Sequence, residues 1–257
     1  MIRVHAFIFG VVSLCSSHVL AQWSAPGHDF NGGINLGGQV TSNSNPWVWK
    51  LGKNTELSIP LKEKSSKSDG QWDVPLPEST ILLGKTIRTV PSGREGLMPV
   101  IRFGNSESGG VLKWEEPGVA KITLQVNDGK RENIGKFTFK IKVAAILKAV
   151  FEGHDKHYAL YNDTNGNGLP ERHYIASPAR MLAELRGMFK TELPLWLSKN
   201  ITITDIAGVS KFTDSSLRQV NGIYGAQIIS GSGELQLEPG THPSNWHVSL
   251  PVSIIYQ

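Results

Sequence analysis

The sequence is almost free of cysteine and has no run of basic residues. Its one cysteine, Cys15, lies in the leader described below, so the rest of the chain can form no disulfide. The formal net charge of +4 comes from lysines and arginines that are scattered along the chain and not interleaved with aromatics. Nucleic-acid binding is therefore not indicated, and stability must come from the core or from partner proteins.

The sequence also lacks the short motifs of common enzymes. It contains no G-x-S-x-G elbow, no H-E-x-x-H pair and no Walker loop. The glycine pairs at 32–33 and 37–38 are not phosphate loops, since no helix is predicted after them. Serines, histidines and aspartates occur without the spacing of a nucleophilic site. We therefore expect no enzymatic activity and no cofactor.

Residues 1–21 have the features of a secretory signal peptide. One positive charge, Arg3, is followed by an apolar run from Ala6 to Cys15 that is too short to span a membrane. The segment closes with Val19-Leu20-Ala21, a small-residue cleavage pattern. We predict cleavage after this tripeptide, so that the mature chain starts at Gln22.

Apolar residues alternate with polar or small ones at both ends of the predicted mature chain. Near its start the alternating positions are Phe30, Gly32, Ile34, Leu36, Gly38 and Val40. At its end they are Val248, Leu250, Val252, Ile254 and Tyr256. Such period-two patterns predict half-buried strands, which can be edge strands of a closed sandwich or can pair with a strand of another molecule.

The segments between the two ends read mostly as short strands separated by turns. Further alternating segments are Trp47–Lys50, Leu57–Leu61, Val119–Val126, Phe137–Val143 and Ile201–Ile206. Asn127-Asp128-Gly129 between two of them is a hairpin signal. Several short strands with regular turns predict an all-β sandwich or barrel.

One segment, about 152–199, has a different pattern and is interpreted as an insertion between strands. A polar stretch from Glu152 to Arg172 precedes a helix start at Ser177-Pro178, where a capping hydroxyl stands before a proline. Apolar residues then recur at helical spacing, namely Met181, Leu182, Leu185, Met188 and Phe189. We expect Pro194 to end this helix and its apolar stripe to pack onto the sandwich.

Metal binding is not predicted, although one loop has a partial calcium pattern. Asp163, Asn165 and Asn167 place oxygen ligands at alternate positions before a glycine, but Tyr174 stands where a bidentate glutamate belongs. A plain turn is the alternative. His154, His157 and His173 could also be ligands, yet surface polar residues are the better interpretation.

The tryptophans have two interpretations. Five of them, Trp47, Trp72, Trp114, Trp196 and Trp246, are interpreted as core or rim anchors. An exposed tryptophan that stacks on a sugar is the alternative.

Four blocks of the sequence resemble the kappa-clade fimbrial subunits of enterobacteria, the Fae-type subunits of the K-eighty-eight antigen and its relatives. The blocks are DFNGGINLGGQV at 29–40, WVWKLG at 47–52, ILLGKT at 81–86, and NW at 245–246 leading into LPVSIIY at 250–256. They lie in the family's order and span nearly the whole chain. Residues from about 152 to 199 match no motif of the family.

The resemblance implies an immunoglobulin-like pilin sandwich, at 42–257, that lacks its final strand. In such subunits an N-terminal extension, here 22–41, fills the groove of the next molecule by donor-strand exchange. The donor face would be Phe30, Gly32, Ile34, Leu36, Gly38 and Val40. One side of the acceptor groove would be Val248, Leu250, Val252, Ile254 and Tyr256, which would first pair with a periplasmic chaperone.

The implied function is that of a structural subunit of a chaperone–usher fimbria that contributes to bacterial adhesion. Its partners would be neighbouring subunits, the chaperone and the outer-membrane usher, and it would travel through the periplasm to the cell-surface fimbrium. We favour a minor subunit because the central segment departs from the family. The alternatives are a major adhesive subunit that binds host glycans, through loops at 152–172, and, more distantly, a periplasmic enzyme.

Overall fold

The computed structural model describes residues 45–52, 66–68, 70–104, 109–128, 132–198, 200–241 and 246–257. The predicted signal peptide, the predicted N-terminal extension at 22–41 and the predicted strand at Leu57–Leu61 lie outside these ranges. No helix in the described ranges is long and apolar enough to cross a membrane.

The described chain is built mainly from β-strands, which confirms the all-β prediction. The strands are β1 (Trp47–Leu51), β2 (Ser66–Ser68), β3 (Gln71–Val74), β4 (Thr80–Thr86), β5 (Val90–Ser92), β6 (Pro99–Phe103), β7 (Gly109–Glu116), β8 (Val119–Asn127), β9 (Asn133–Phe151), β10 (His154–Tyr161), β11 (Asp205–Gly208), β12 (Arg218–Ile228), β13 (Gly233–Leu237) and β14 (Val252–Tyr256). The helices are α1 (Pro178–Phe189) and α2 (Leu195–Ser198), with short 3₁₀ turns at Arg172–Tyr174, Lys190–Glu192 and Val209–Thr213.

Two sheets enclose the main core. The larger, curled sheet has the strand order β1-β4-β12-β9-β13-β3-β2, and β8, β10, β11, β5 and β7 extend it from these strands. The smaller sheet pairs β14 with β6. β9 is 19 residues long and pairs along different parts of its length with β8, β10, β12 and β13, so it organises the larger sheet.

Strict alternation on β8 and β9 produces the core. Their buried residues include Ile122, Leu124, Phe137, Phe139, Ile141 and Val143. Burying each such side chain contributes about 1.5 to 3 kcal/mol, which a chain without disulfides needs. The predicted strands at Trp47–Lys50, Val119–Val126 and Phe137–Val143 are therefore confirmed.

The predicted hairpin after β8 is confirmed as well. β8 and β9 pair antiparallel across it. Asp128 fixes the turn at both ends, because its backbone N–H donates to the Glu132 carbonyl at 3.0 Å and its carboxylate accepts from the Glu132 N–H at 2.9 Å. An aspartate that bonds to nearby backbone in this way is a common turn former.

Helix α1 begins where the sequence predicts and packs as expected. The Ser177 hydroxyl accepts a hydrogen bond from the Arg180 N–H at 3.4 Å, and Pro178 is the first helical residue. The buried side chains of the helix are Met181, Leu185, Met188 and Phe189. They form a second, smaller cluster on the outer face of the larger sheet, against residues such as Leu83, Ile146 and Ile223.

The end of α1 differs from the prediction. The helix stops at Phe189 and not at Pro194, because Lys190 adopts a left-handed conformation with φ 51° and its N–H caps the Arg186 carbonyl. Pro194 instead precedes α2, and its carbonyl accepts from the Leu197 N–H at 2.9 Å.

The polar stretch that starts at Glu152 contains a strand that the sequence did not reveal. Glu152 and Gly153, both with positive φ, form the turn of a hairpin between β9 and β10. Only the first residues of β10 are exposed, whereas Tyr158 and Leu160 are buried in the main core. The predicted strand at Ile201–Ile206 was also misplaced, since β11 begins at Asp205.

Candidate functional site

The C-terminal strand is paired on one side. β14 runs antiparallel to β6 with Val252 opposite Phe103 and Tyr256 opposite Pro99. Backbone hydrogen bonds extend the ladder at both ends, from the Gly104 N–H to the Pro251 carbonyl at 2.8 Å and reciprocally between residues 98 and 257. In the part of the chain that the structure describes, β6 is the only strand that pairs with β14.

The side chains of this segment alternate as the sequence predicts. Val248, Leu250, Val252 and Ile254 are half-buried and pack against the main core, whereas Ser253 and Ile255 are exposed. Val248 and Leu250 precede the strand itself, which starts at Val252. Tyr256, on the same face, is 37% exposed. The inward face of the segment is thus apolar but incompletely covered.

β1 is likewise paired on one side. It runs antiparallel to β4, with Trp47 opposite Thr86 and Leu51 opposite Leu82. Within the described ranges β4 is the only strand that pairs with β1, which therefore ends one side of the larger sheet.

Two stacked tryptophans on β1 connect the two sheets. The rings of Trp47 and Trp49 lie 5.1 Å apart at an angle of 12°. The Trp47 indole N–H donates to the Leu97 carbonyl, just before β6, at 2.9 Å. The Trp49 indole N–H donates to the Tyr256 hydroxyl at 2.8 Å. β1 and β14, the two strands with an open edge, are therefore joined by a side-chain hydrogen bond.

Residues on β4 and β12 hold the tryptophans in place, and sequence reasoning missed them. A Cβ on Gly84 would lie 2.2 Å from the Trp49 ring, and one on Gly222 would lie 2.5 Å from the Trp47 ring. Tyr224, whose ring centroid is 5.8 Å from that of Trp49, is fully buried and donates to the Gly168 carbonyl at 2.7 Å. Burial raises the pKa of Tyr224 well above its usual value. Glycines inside strands were the available signal of a close approach.

This geometry suits backbone pairing and not catalysis. Two strand edges and a half-covered apolar face offer hydrogen-bond partners and burial to an added strand. Among the described residues no three His, Cys, Asp or Glu side chains cluster in a way that could hold a metal ion.

Comparison with known proteins agrees with the resemblance seen in the sequence. A family model described as fimbrial, major and minor subunit, matches residues 6–257. The chain belongs to the K88 fimbrial subunit family. It is 46% identical over 259 aligned positions, covering all of both chains, to the K88 minor fimbrial subunit FaeI of Escherichia coli.

The family's N-terminal donor positions are present in the sequence but lie outside the described residues. They are Phe30, Gly32, Ile34, Leu36, Gly38 and Val40. Of the two groups of site residues predicted from the sequence, the structure therefore describes the acceptor side.

The residues of the partial calcium pattern bond to different elements. Asp163 accepts hydrogen bonds from the backbone and hydroxyl of Ser210, in the 3₁₀ turn after β11. The Asn167 side chain pairs with both backbone groups of Phe103 on β6, at 2.8 and 3.0 Å. These contacts tie the loop to the two sheets, which is what a structural turn requires.

The histidines and the remaining tryptophans are placed apart from the open edges. His154 and His173 are exposed, whereas His157 is buried beside Trp196, with ring centroids 6.2 Å apart. Burial and then Lys148 lower the pKa of His157. Trp114 is buried, and Trp72, Trp196 and Trp246 are half-buried, so all serve as core or rim anchors.

Proposed function

We propose that this chain is a minor structural subunit of a chaperone–usher fimbria that polymerises by donor-strand exchange. The observation that carries the proposal is the pair of one-sided strands, β1 and β14, beside a half-covered apolar face. The likeness to the minor subunit FaeI supports the choice of a minor subunit.

The physical reason for exchange is the cost of leaving this groove empty. Unpaired strand edges and exposed apolar surface invite aggregation. A donor strand between β1 and β14 would add backbone hydrogen bonds worth about 1 kcal/mol each, net. It would also finish the burial of the apolar face, at about 25 cal/mol per Å². Both terms favour occupation, so no external energy source is required.

The donor in this proposal is residues 22–41 of a neighbouring subunit. Its inward face would be Phe30, Gly32, Ile34, Leu36, Gly38 and Val40, opposite the acceptor side chains from Val248 to Tyr256. The glycines would allow the two backbones to approach closely where the groove is crowded.

Before assembly, a periplasmic chaperone would cover the same groove with a strand of its own. The predicted signal peptide at 1–21 supplies the route to the periplasm, and the outer-membrane usher would catalyse exchange at the cell surface. In this role the chain has no enzymatic activity, and its contribution to adhesion is made as part of the fimbrium.

The test is thermal unfolding of a variant that starts at residue 42, with and without a peptide of residues 22–41. We expect the peptide to raise the melting temperature strongly. A peptide in which Ile34→Asp and Leu36→Asp are combined should have no effect, since charged side chains cannot enter the apolar groove. Equal melting temperatures with and without the unaltered peptide would contradict donor-strand exchange.

A further inference from the structure

The Trp49–Tyr256 contact lies at one end of the proposed groove. Tyr256 is the last residue of β14, and its side chain is on the same inward face as Val252 and Ile254. Trp49 lies on the inward face of β1, where it packs against the main core. Their hydrogen bond of 2.8 Å therefore crosses the space between the two open edges on the core side.

The contact is held rigidly from the β1 side. The Trp49 indole lies flat on Gly84, stacks on Trp47 at 5.1 Å and lies 5.8 Å from the ring of Tyr224. Trp47 in turn is fixed by its bond to the Leu97 carbonyl. Trp49 therefore has no space into which it can withdraw when a strand enters the groove.

A donor strand needs such a feature to find one register. A shift by one residue turns its apolar face outward, but a shift by two residues keeps the apolar face inward. Alternation alone therefore does not distinguish registers that differ by two. A fixed obstacle at one end of the groove does, because it accepts a small inward residue and rejects a large one.

We propose that the Trp49–Tyr256 pair is an end wall that sets donor-strand register by accepting only glycine at the position next to it. This inference rests on the proposed function. The donor carries inward glycines at two positions, Gly32 and Gly38. One of them lies at the wall in the correct register, and shifts by two residues bring a larger side chain against the indole and the phenol.

Register can be measured by disulfide cross-linking, because the predicted mature chain has no cysteine. Ser253→Cys places a thiol on the outward face of β14, where it can reach an outward residue of the donor. Peptides of residues 22–41, each with one cysteine at position 31, 33, 35, 37 or 39, are added in excess to the full mature chain. The peptide that cross-links identifies the register.

With Tyr256 present, we expect one peptide to cross-link at least about tenfold more than its neighbours, which corresponds to about 1.4 kcal/mol. Combining Ser253→Cys with Tyr256→Ala should bring neighbouring peptides to nearly equal yield. Tyr256→Phe, which removes only the hydroxyl, should lower the preference partly and guards against loss of folding. Ile255→Ala, on the outward face of the same strand, is the matched control and should leave one register.

Peptide variants with Gly32→Val or Gly38→Val complete the test. One of them should lose binding to the chain with Tyr256 and regain it with Tyr256→Ala. A single unchanged register in the Tyr256→Ala chain would overturn the end wall while leaving donor-strand exchange intact. Failure of every peptide to cross-link to any chain would instead contradict the proposed function.

Discussion

Gly84 lies directly under the indole of Trp49, its partner in the β1–β4 register. A Cβ at Gly84 would come within 2.2 Å of the Trp49 ring, so Gly84→Ala must displace the indole. We expect a loss of about 1 to 3 kcal/mol in the free energy of unfolding, the usual cost of overpacking. Denaturant unfolding measures it.

The matched control for this prediction is Gly187→Ala in α1, where a Cβ would meet no atom within 4 Å. Alanine is the better helix former by about 1 kcal/mol, so this variant should be at least as stable as the parent chain. Equal effects at the two glycines would mean that the contact with Trp49 does not determine the need for glycine at 84.

The outer cluster makes a second prediction. Leu185→Ala removes a side chain that is fully buried between α1 and the sheet, and we expect a loss of about 2 to 5 kcal/mol. Leu195→Ala, at a site that is 84% exposed, should change stability by about 0.5 kcal/mol or less. Chemical denaturation of both variants provides the comparison, and similar losses would contradict the packing of α1.

Buried His157 makes stability depend on pH in the mildly acidic range. Burial, and then Lys148, lower its pKa in the folded chain, while Asp155 acts in the opposite direction more weakly. The unfolded chain therefore binds a proton first, and stability falls as pH drops below the usual value of about 6.5. Above that pH the contribution is fully present.

We expect His157→Gln to remove this part of the pH dependence. The melting temperature of the parent chain should fall more between pH about 7.5 and about 5.5 than that of the variant. His154→Gln, at an exposed site in the same strand, is the control and should behave as the parent does. Parallel curves for all three chains would refute the assignment to His157.

Asp214 controls stability at lower pH. The side-chain hydrogen bond from Lys211, at 2.6 Å, and bonds from Ser216 lower the pKa of Asp214 to about 2. Its contribution to stability is present above its usual pKa of 3.8 and is lost as pH falls towards 2.

Asp214→Asn should therefore lower the melting temperature at neutral pH by a few degrees and flatten the acid-induced decline. The effect is modest because the carboxylate is 30% exposed and partly screened by solvent. Asp155→Asn, whose 3.5 Å pair with Lys148 is 59% exposed at the carboxylate, should change little. A steeper acid decline in Asp214→Asn would contradict the prediction.

Local patterns in the sequence predicted what local physics determines. Alternation located β8 and the inward face near the C-terminus, and a hydroxyl before proline located the start of α1 at Ser177. The sequence did not reveal β10, because its first residues are polar and its apolar half becomes meaningful only beside β9. The end of α1 was missed because Lys190 takes a left-handed conformation that its residue type does not announce.

Contacts between distant parts of the chain were beyond such reasoning. The Trp49–Tyr256 hydrogen bond joins positions near the two ends of the described chain, and the roles of Gly84 and Gly222 depend on which tryptophan covers each. Sequence patterns give the face of a strand but not its partner on the opposite sheet.

The pairing of β12 also has a consequence for folding kinetics. This strand lies between β9 and β4, and it meets β4 through pairs such as Ala226 with Leu82 that are far apart in sequence. Chains dominated by such non-local pairs close long loops before gaining contacts, and typically fold in milliseconds to seconds. Newly exported molecules would therefore spend that time with the middle of the larger sheet unassembled, which is when a chaperone is of most use.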